Sequence, residues 1–359
     1  MFSLTALDVT LTLLLVVVAL MTIAAIVNKI HSNREDDTRR RFLDRLRKNI
    51  LLLSGGPEDR ILAYREIGAA ISGRLSQLAS EEISQLELTT RLDVIRSLEE
   101  QGVLARLLRE VKSPLKWTRA HALRILGELK VPASVPALLE ALEDKDPDVR
   151  IVAARSLGKM RLQAAEEALV AQLGKHEQAV SARIAAICIE MGTRTGPLLI
   201  RTLRDGKPKA RFWAARILGE VKESRACRSL GDAMLDPDPD VRSASAWALG
   251  SIADRATAPL VETVLRDPVW YVRAHAAEAL GKIGDTSHAS ALADLLADRS
   301  WWVRRNALDA LVRLGEASKP ALFAVMESED RFARDCALEA LTTLGVLLEE
   351  IPQRAATEI

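Results

Sequence analysis

Two rhythms of apolar and polar positions divide these 359 residues. From Val9 to Asn28 no side chain is charged. Twenty such positions make an apolar helix of about 30 Å, the depth of a bilayer's hydrocarbon core. From about residue 55 the pattern becomes helical with a longer period laid over it. Arg60, Arg91, Arg119, Arg150, Arg183, Arg211, Arg242, Arg273, Arg304 and Arg334 recur at intervals of 28 to 33 residues, most often 31. Counted from these arginines, the third residue onward is small (Ala153, Ala214, Ser245, Ala276, Ala307) and the seventh is apolar (Leu157, Leu218, Leu249, Leu280, Leu311). Offsets of three and seven mark one face of a helix.

The punctuation between these stretches predicts hairpins. Asp146-Pro147 and Asp238-Pro239 set a capping carboxylate and a first-turn proline just ahead of Arg150 and Arg242. Gly127, Gly158, Gly219, Gly250 and Gly281 follow the arginine by eight residues, late in the helix or where a neighbour comes close. A second, proline-led helix then follows, as in residues 131–142, 193–203 and 254–265. The fold class read from this pattern is all-α: a right-handed α-solenoid of about ten helical hairpins sharing one continuous core, preceded by one transmembrane helix. The expected organisation is a tail and transmembrane helix over 1–28, a basic juxtamembrane helix or linker over 29–54, the repeat array over 55–345, and a cap and tail over 346–359.

Charge sets the topology of that reading. No Lys or Arg precedes the apolar stretch, whereas residues 29–48 carry eight basic and four acidic side chains. By the positive-inside rule the N-terminus faces outward and the repeats are cytoplasmic, which predicts a single-pass inner (plasma) membrane protein. Over the whole chain, 50 Lys and Arg balance 49 Asp and Glu, so no global field gathers nucleic acid, and no nucleic-acid partner is expected. Phe, Tyr and Trp make up only 4% of the residues, against barrels and sandwiches. The cysteines, Cys188, Cys227 and Cys336, are odd in number and outside any Cys-x-x-Cys spacing, which suits neither a disulfide framework nor a zinc site.

The strings DPDVRIVAARSLGKM (146–160), DPDVRSASAWALGSI (238–252) and DPVWYVRAHAAEALGKIGD (267–285) resemble HEAT-like repeats of the kind first grouped with the phycobilin lyases. The resemblance covers roughly residues 55 to 345. It implies a ladder between adjacent repeats, in which Asp205, Asp236, Asp267 and Asp298 work with Arg211, Arg242, Arg273 and Arg304. It also implies that the aromatic offsets described next lie on the inner, concave face.

No catalytic constellation is present. The phosphate-binding loop, the serine nucleophile elbow and the zinc His-Glu-x-x-His motif are all missing, and the histidines are isolated except for His176-Glu177. No metal and no cofactor are expected. The aromatics are the unusual feature. Trp117, Tyr271, Trp302 and Phe332 stand two residues before a repeat arginine, and Trp270 and Trp301 stand three before; Phe212, Trp213 and Trp247 follow theirs by one, two and five. Adjacent repeats place Trp270, Tyr271, Trp301, Trp302 and Phe332 side by side, joined by Trp247, His275, Arg305 and Asn306, with Phe212 and Trp213 further along. Such residue types dominate interface hot spots. The expected function is therefore a membrane-tethered, non-catalytic scaffold or adaptor that binds a protein or peptide in this groove. The alternative is a bilin-lyase-like enzyme holding a hydrophobic tetrapyrrole, and nucleic-acid binding, which predicts a basic groove, ranks behind both.

Overall fold

The computed structural model describes residues 35–73 and 75–347, together with Met21 and Lys29. Helix α1 covers 35–51. It is followed by α2 (Pro57–Ser72), α3 (Ser76–Ser84), α4 (Leu88–Glu100), α5 (Val103–Glu110), α6 (Lys116–Leu129), α7 (Val135–Glu140), α8 (Pro147–Met160), α9 (Gln163–Gln172) and α10 (Gln178–Glu190). The series continues with α11 (Gly196–Asp205), α12 (Pro208–Glu220), α13 (Cys227–Ala233), α14 (Pro239–Ile252), α15 (Ala258–Glu262), α16 (Trp270–Ile283), α17 (Ala289–Asp294), α18 (Trp301–Leu314), α19 (Lys319–Met326) and α20 (Arg331–Thr343). All ten repeat arginines fall on the even-numbered helices α2 to α20. The odd-numbered helices between them are the shorter partners; α7, α11, α15 and α19 carry a proline in their first turn, whereas α3, α5, α9, α13 and α17 have none, and several are entered or left through a turn of 3₁₀ helix. The chain forms two compact units that divide between Ser134 and Val135.

The fold class needs one correction. Among the described residues no helix is long and apolar enough to cross a membrane, so the fold is an all-α repeat solenoid and the expected transmembrane helix is withdrawn. The single-pass inner-membrane placement goes with it. Of the apolar stretch 9–28 that carried the expectation, only Met21 is described; the rest lies outside the described residues.

In the second unit the even helices stack through a stripe of small and apolar residues. Val272, Ala276 and Leu280 of α16 are buried, as are Val303, Ala307 and Leu311 of α18. These are the third and seventh positions after the arginine and the one just before it. Glycine permits the close approach: a Cβ added at Gly250 would stand 2.6 Å from Cα of Ala279, and one at Gly281 would stand 2.7 Å from Cα of Ala310. The same contact joins Gly219 to Ala248.

The ladder forms with a definite register. Arg211, Arg242 and Arg273 each grip the aspartate 25 residues later, Asp236, Asp267 and Asp298, with Nε and Nη2 on the two carboxylate oxygens at 2.6 to 2.9 Å. Nη1 of each arginine donates back to a carbonyl of its own loop, Gly206, Asp236 or Asp267. The bound carboxylate also accepts a backbone N–H two residues on, which shapes the turn into the next helix. The expected ladder is corrected at its two ends. Asp205 is exposed and 3.8 Å from Arg204; the residue 25 before it is Val180, which has no cation to offer. Arg304 donates to the carbonyls of Asp298 and Arg299; the residue 25 after it is Glu329.

Candidate functional site

Aromatic residues two or three before the arginine stand open on α16, α18 and α20, whereas the offsets one, two and five after it are mixed: Ser243, Ala244, Ala274 and Cys188 there are buried. Trp270 on α16, Trp301 and Trp302 on α18 and Phe332 on α20 are 45%, 55%, 57% and 65% exposed. Contacts between their rings run within a helix: Trp270 meets Tyr271 edge-on at 5.6 Å, and Trp301 meets Trp302 at 4.8 Å. Between helices the links are polar or cationic. The Tyr271 hydroxyl donates to Asp240 of α14 at 2.9 Å, and the Arg304 guanidinium lies 5.3 Å from the Phe332 ring. Trp117, in the first unit, is exposed beside the Lys116 ammonium.

Of the remaining predicted residues, Trp247, His275 and Asn306 are partly buried between helices, while Arg305 is exposed. Trp247 is half-buried, with the Arg216 guanidinium 3.6 Å from its ring centre and the Lys282 ammonium 5.8 Å away. His275 shares a 2.6 Å hydrogen bond between Nδ1 and the Ser243 hydroxyl. Burial pushes the His275 imidazolium below its ordinary value; Glu278 opposes this, while Arg216 and Lys282 add to it. Asn306 donates to the Ala274 carbonyl at 2.9 Å, tying α18 to α16. Arg305 is held by Glu339 at 2.8 Å and Asp309 at 3.1 Å. The site thus separates into an exposed strip, Trp270, Trp301, Trp302 and Phe332, and the side chains that fix its helices.

Phe212 and Trp213 stand apart from that strip. Their rings meet edge-on at 5.2 Å on α12, and together they line a cleft of about 180 Å³ with Gly174, His176, Gln178, Ser181, Pro208, Lys209, Asp238 and Asp240. The sequence pattern names the two rings and marks Asp238 as a helix cap; that this cap and Asp240 line the same cleft as the rings has no marker in the spacing.

Among the described residues no three His, Cys, Asp or Glu side chains gather as a metal site. The three cysteines are free. Burial pushes their thiols up, to about 12 at Cys188.

The family model for HEAT repeats matches the chain in five overlapping stretches, residues 103–190, 166–250, 195–270, 231–300 and 257–342. A search of curated proteins finds no match. Among solved structures, an engineered protein is 18% identical, with 86% of this chain and 90% of that one covered, at a TM-score of 0.41. The Escherichia coli protein YibA is also 18% identical, over 76% of this chain and 97% of its own, at 0.41. The complex of CpcE and CpcF of phycocyanin lyase from Nostoc is 23% identical, over 68% and 94%, at 0.31. Likenesses of this size say nothing of what this chain binds.

Proposed function

Since this chain belongs to the HEAT-repeat family, we propose that it is a non-catalytic scaffold that docks a protein or peptide partner along the exposed aromatic strip of α16, α18 and α20. The observation that carries this reading is the exposure of Trp270, Trp301, Trp302 and Phe332 on three successive even helices. A soluble surface that leaves four large rings open on adjacent elements loses apolar burial there, and such patches mark partner sites. Tryptophan supplies large contact area with few rotatable bonds, hence its weight at interface hot spots. Stacked helical repeats present extended surfaces suited to this use. The core stripe of the same helices is made of smaller residues, Val272, Ala276, Leu280, Val303, Ala307 and Leu311.

The test is the double substitution Trp301→Ser/Trp302→Ser, compared with wild type by crosslinked capture from cell extract, identification of the captured protein, and reconstitution of the pair. Loss of that pair with the melting temperature held within a few degrees is the expected result. Unchanged capture with a large drop in melting temperature would show the rings to be packing elements.

A further inference from the structure

The repeat period slips around α10: Arg183 follows Arg150 by 33 residues and precedes Arg211 by only 28. The longer loop ahead of α10 turns at Gly174, where φ is +75°. A Cβ there would lie 2.7 Å from the Ala210 backbone nitrogen, so the loop presses directly on the start of α12. This wall, the Phe212 and Trp213 rings, and the beginning of α14 enclose the cleft of about 180 Å³. It falls below the ~300 Å³ at which small-molecule sites begin, and it suits one long side chain.

The chemistry of its lining selects the sign of that side chain. Asp238 and Asp240 both face it. Each uses Oδ1 within the fold, Asp238 accepting the Asp240 N–H at 2.9 Å and Asp240 accepting the Tyr271 hydroxyl at 2.9 Å. Among the described residues neither carboxylate ends in a salt bridge, while Arg211 nearby is already gripped by Asp236. His176 is fixed by Gln172 at 3.0 Å. Lys209 is the one cation of the lining, and it is exposed. Aromatic faces beside carboxylates attract guanidinium and ammonium groups through both the ring quadrupole and the charge.

We propose that this cleft takes an arginine or lysine side chain of the partner that lies along the aromatic strip; the inference rests on that docking reading and adds the partner's charge to it. Three neighbour steps separate α12 from α18. At roughly 8 to 10 Å per step and about 3.3 Å per extended residue, the basic side chain and the partner's apolar anchor stand about eight residues apart.

The full chain, labelled with ¹⁵N at its six tryptophan indoles, is titrated with Nα-acetyl-arginine amide and, separately, with O-phosphoserine. The Trp213 signal is assigned through Trp213→Phe. The expected result is a saturable shift of the Trp213 indole with the arginine amide, weakened about tenfold or more by Asp238→Asn/Asp240→Asn, as for a lost charge-assisted contact. Asparagine keeps the helix cap and the acceptor for Tyr271, and circular dichroism checks that the variant is folded. Lys209→Ala is expected to tighten the arginine complex by removing a competing cation. No saturable shift, an unchanged affinity in the double asparagine variant, or a phosphoserine response that the asparagines strengthen would each overturn the proposal. Because this readout is local to Trp213, its failure leaves the Trp301/Trp302 capture result standing, and the converse also holds.

Discussion

Arg242 on α14 and Asp267, ahead of α16, meet through two parallel hydrogen bonds of 2.7 and 2.9 Å, with only 5% of the aspartate side chain exposed. Burial alone would raise the Asp267 carboxyl, but the Arg242 guanidinium and the Val269 N–H outweigh it and hold the group below the ordinary aspartate value. Asp298 is held down in the same way by Arg273 and the Ser300 N–H.

Replacing Asp267 by Ala strands a mostly buried guanidinium and is expected to cost about 3–5 kcal/mol, read from urea unfolding at pH 7. Because the folded-state carboxyl is depressed, its stabilising effect is complete above the unfolded value near 4 and is lost as pH falls through the lower folded value. Asp267→Asn should therefore flatten the acid limb of the stability curve below about pH 4. A variant that keeps the wild-type acid limb would assign that limb to other carboxylates.

A second prediction concerns the joints between even helices. Gly250→Ala drives a methyl group to 2.6 Å from Cα of Ala279, a backbone atom that cannot swing aside. Overpacking of this kind costs about 1–3 kcal/mol. Gly192→Ala puts its methyl group into open space, and the strain there comes from its φ of +70° alone. If Gly250→Ala melts with wild type, α14 and α16 are not in the close contact described.

Much of this architecture is legible in the spacing of ten arginines, because a repeat that buries Ala and Leu at fixed offsets must keep those offsets in every copy. The ladder's register is less legible. Which aspartate an arginine reaches depends on how far the neighbouring repeat is rotated, and Asp205, at the same offset as Asp236, has Val180 across from it. The aromatic offsets identify the face but not the exposure. Trp247 occupies that face and is nevertheless half-buried, with Arg216 reaching over it from the preceding repeat.

The ends of the even helices give a third prediction. Lys130, Arg161, Lys222 and Ala253 all close a helix or its following turn with positive φ, and Gly284 does the same at the end of α16. For a residue with a Cβ this left-handed conformation costs roughly 1–2 kcal/mol. Ala253→Gly is expected to raise stability by about 1 kcal/mol, and Gly284→Ala to lower it by a similar amount. A Cβ at Gly284 meets nothing within 4 Å, so any loss there is backbone strain and not a clash. Opposite signs in thermal melts of the two variants are the check; equal signs would contradict the backbone account.

The last prediction follows a proton. His275 on α16 is wedged against Ser243 of α14 and faces Glu278 on its own helix, Lys282 one turn further and Arg216 from α12. Burial lowers its imidazolium most; Glu278 opposes this, and Arg216 and Lys282 add to the lowering. The unfolded chain takes up a proton at this residue near pH 6.5 while the folded chain resists it. The stability tied to a neutral His275 is therefore complete above about 6.5 and declines as pH falls below that value toward the lower folded one. His121, lowered by burial and then by Arg124, adds a decline of the same sign in the first unit. His275→Gln, which keeps a polar group for Ser243, is expected to flatten part of that decline while leaving stability at pH 8 within about 1 kcal/mol, the worth of one ordinary hydrogen bond. An NMR titration of the His275 ring in the intact chain reads the same property directly. A midpoint at or above 6.5 would mean that Glu278 governs the site in place of burial.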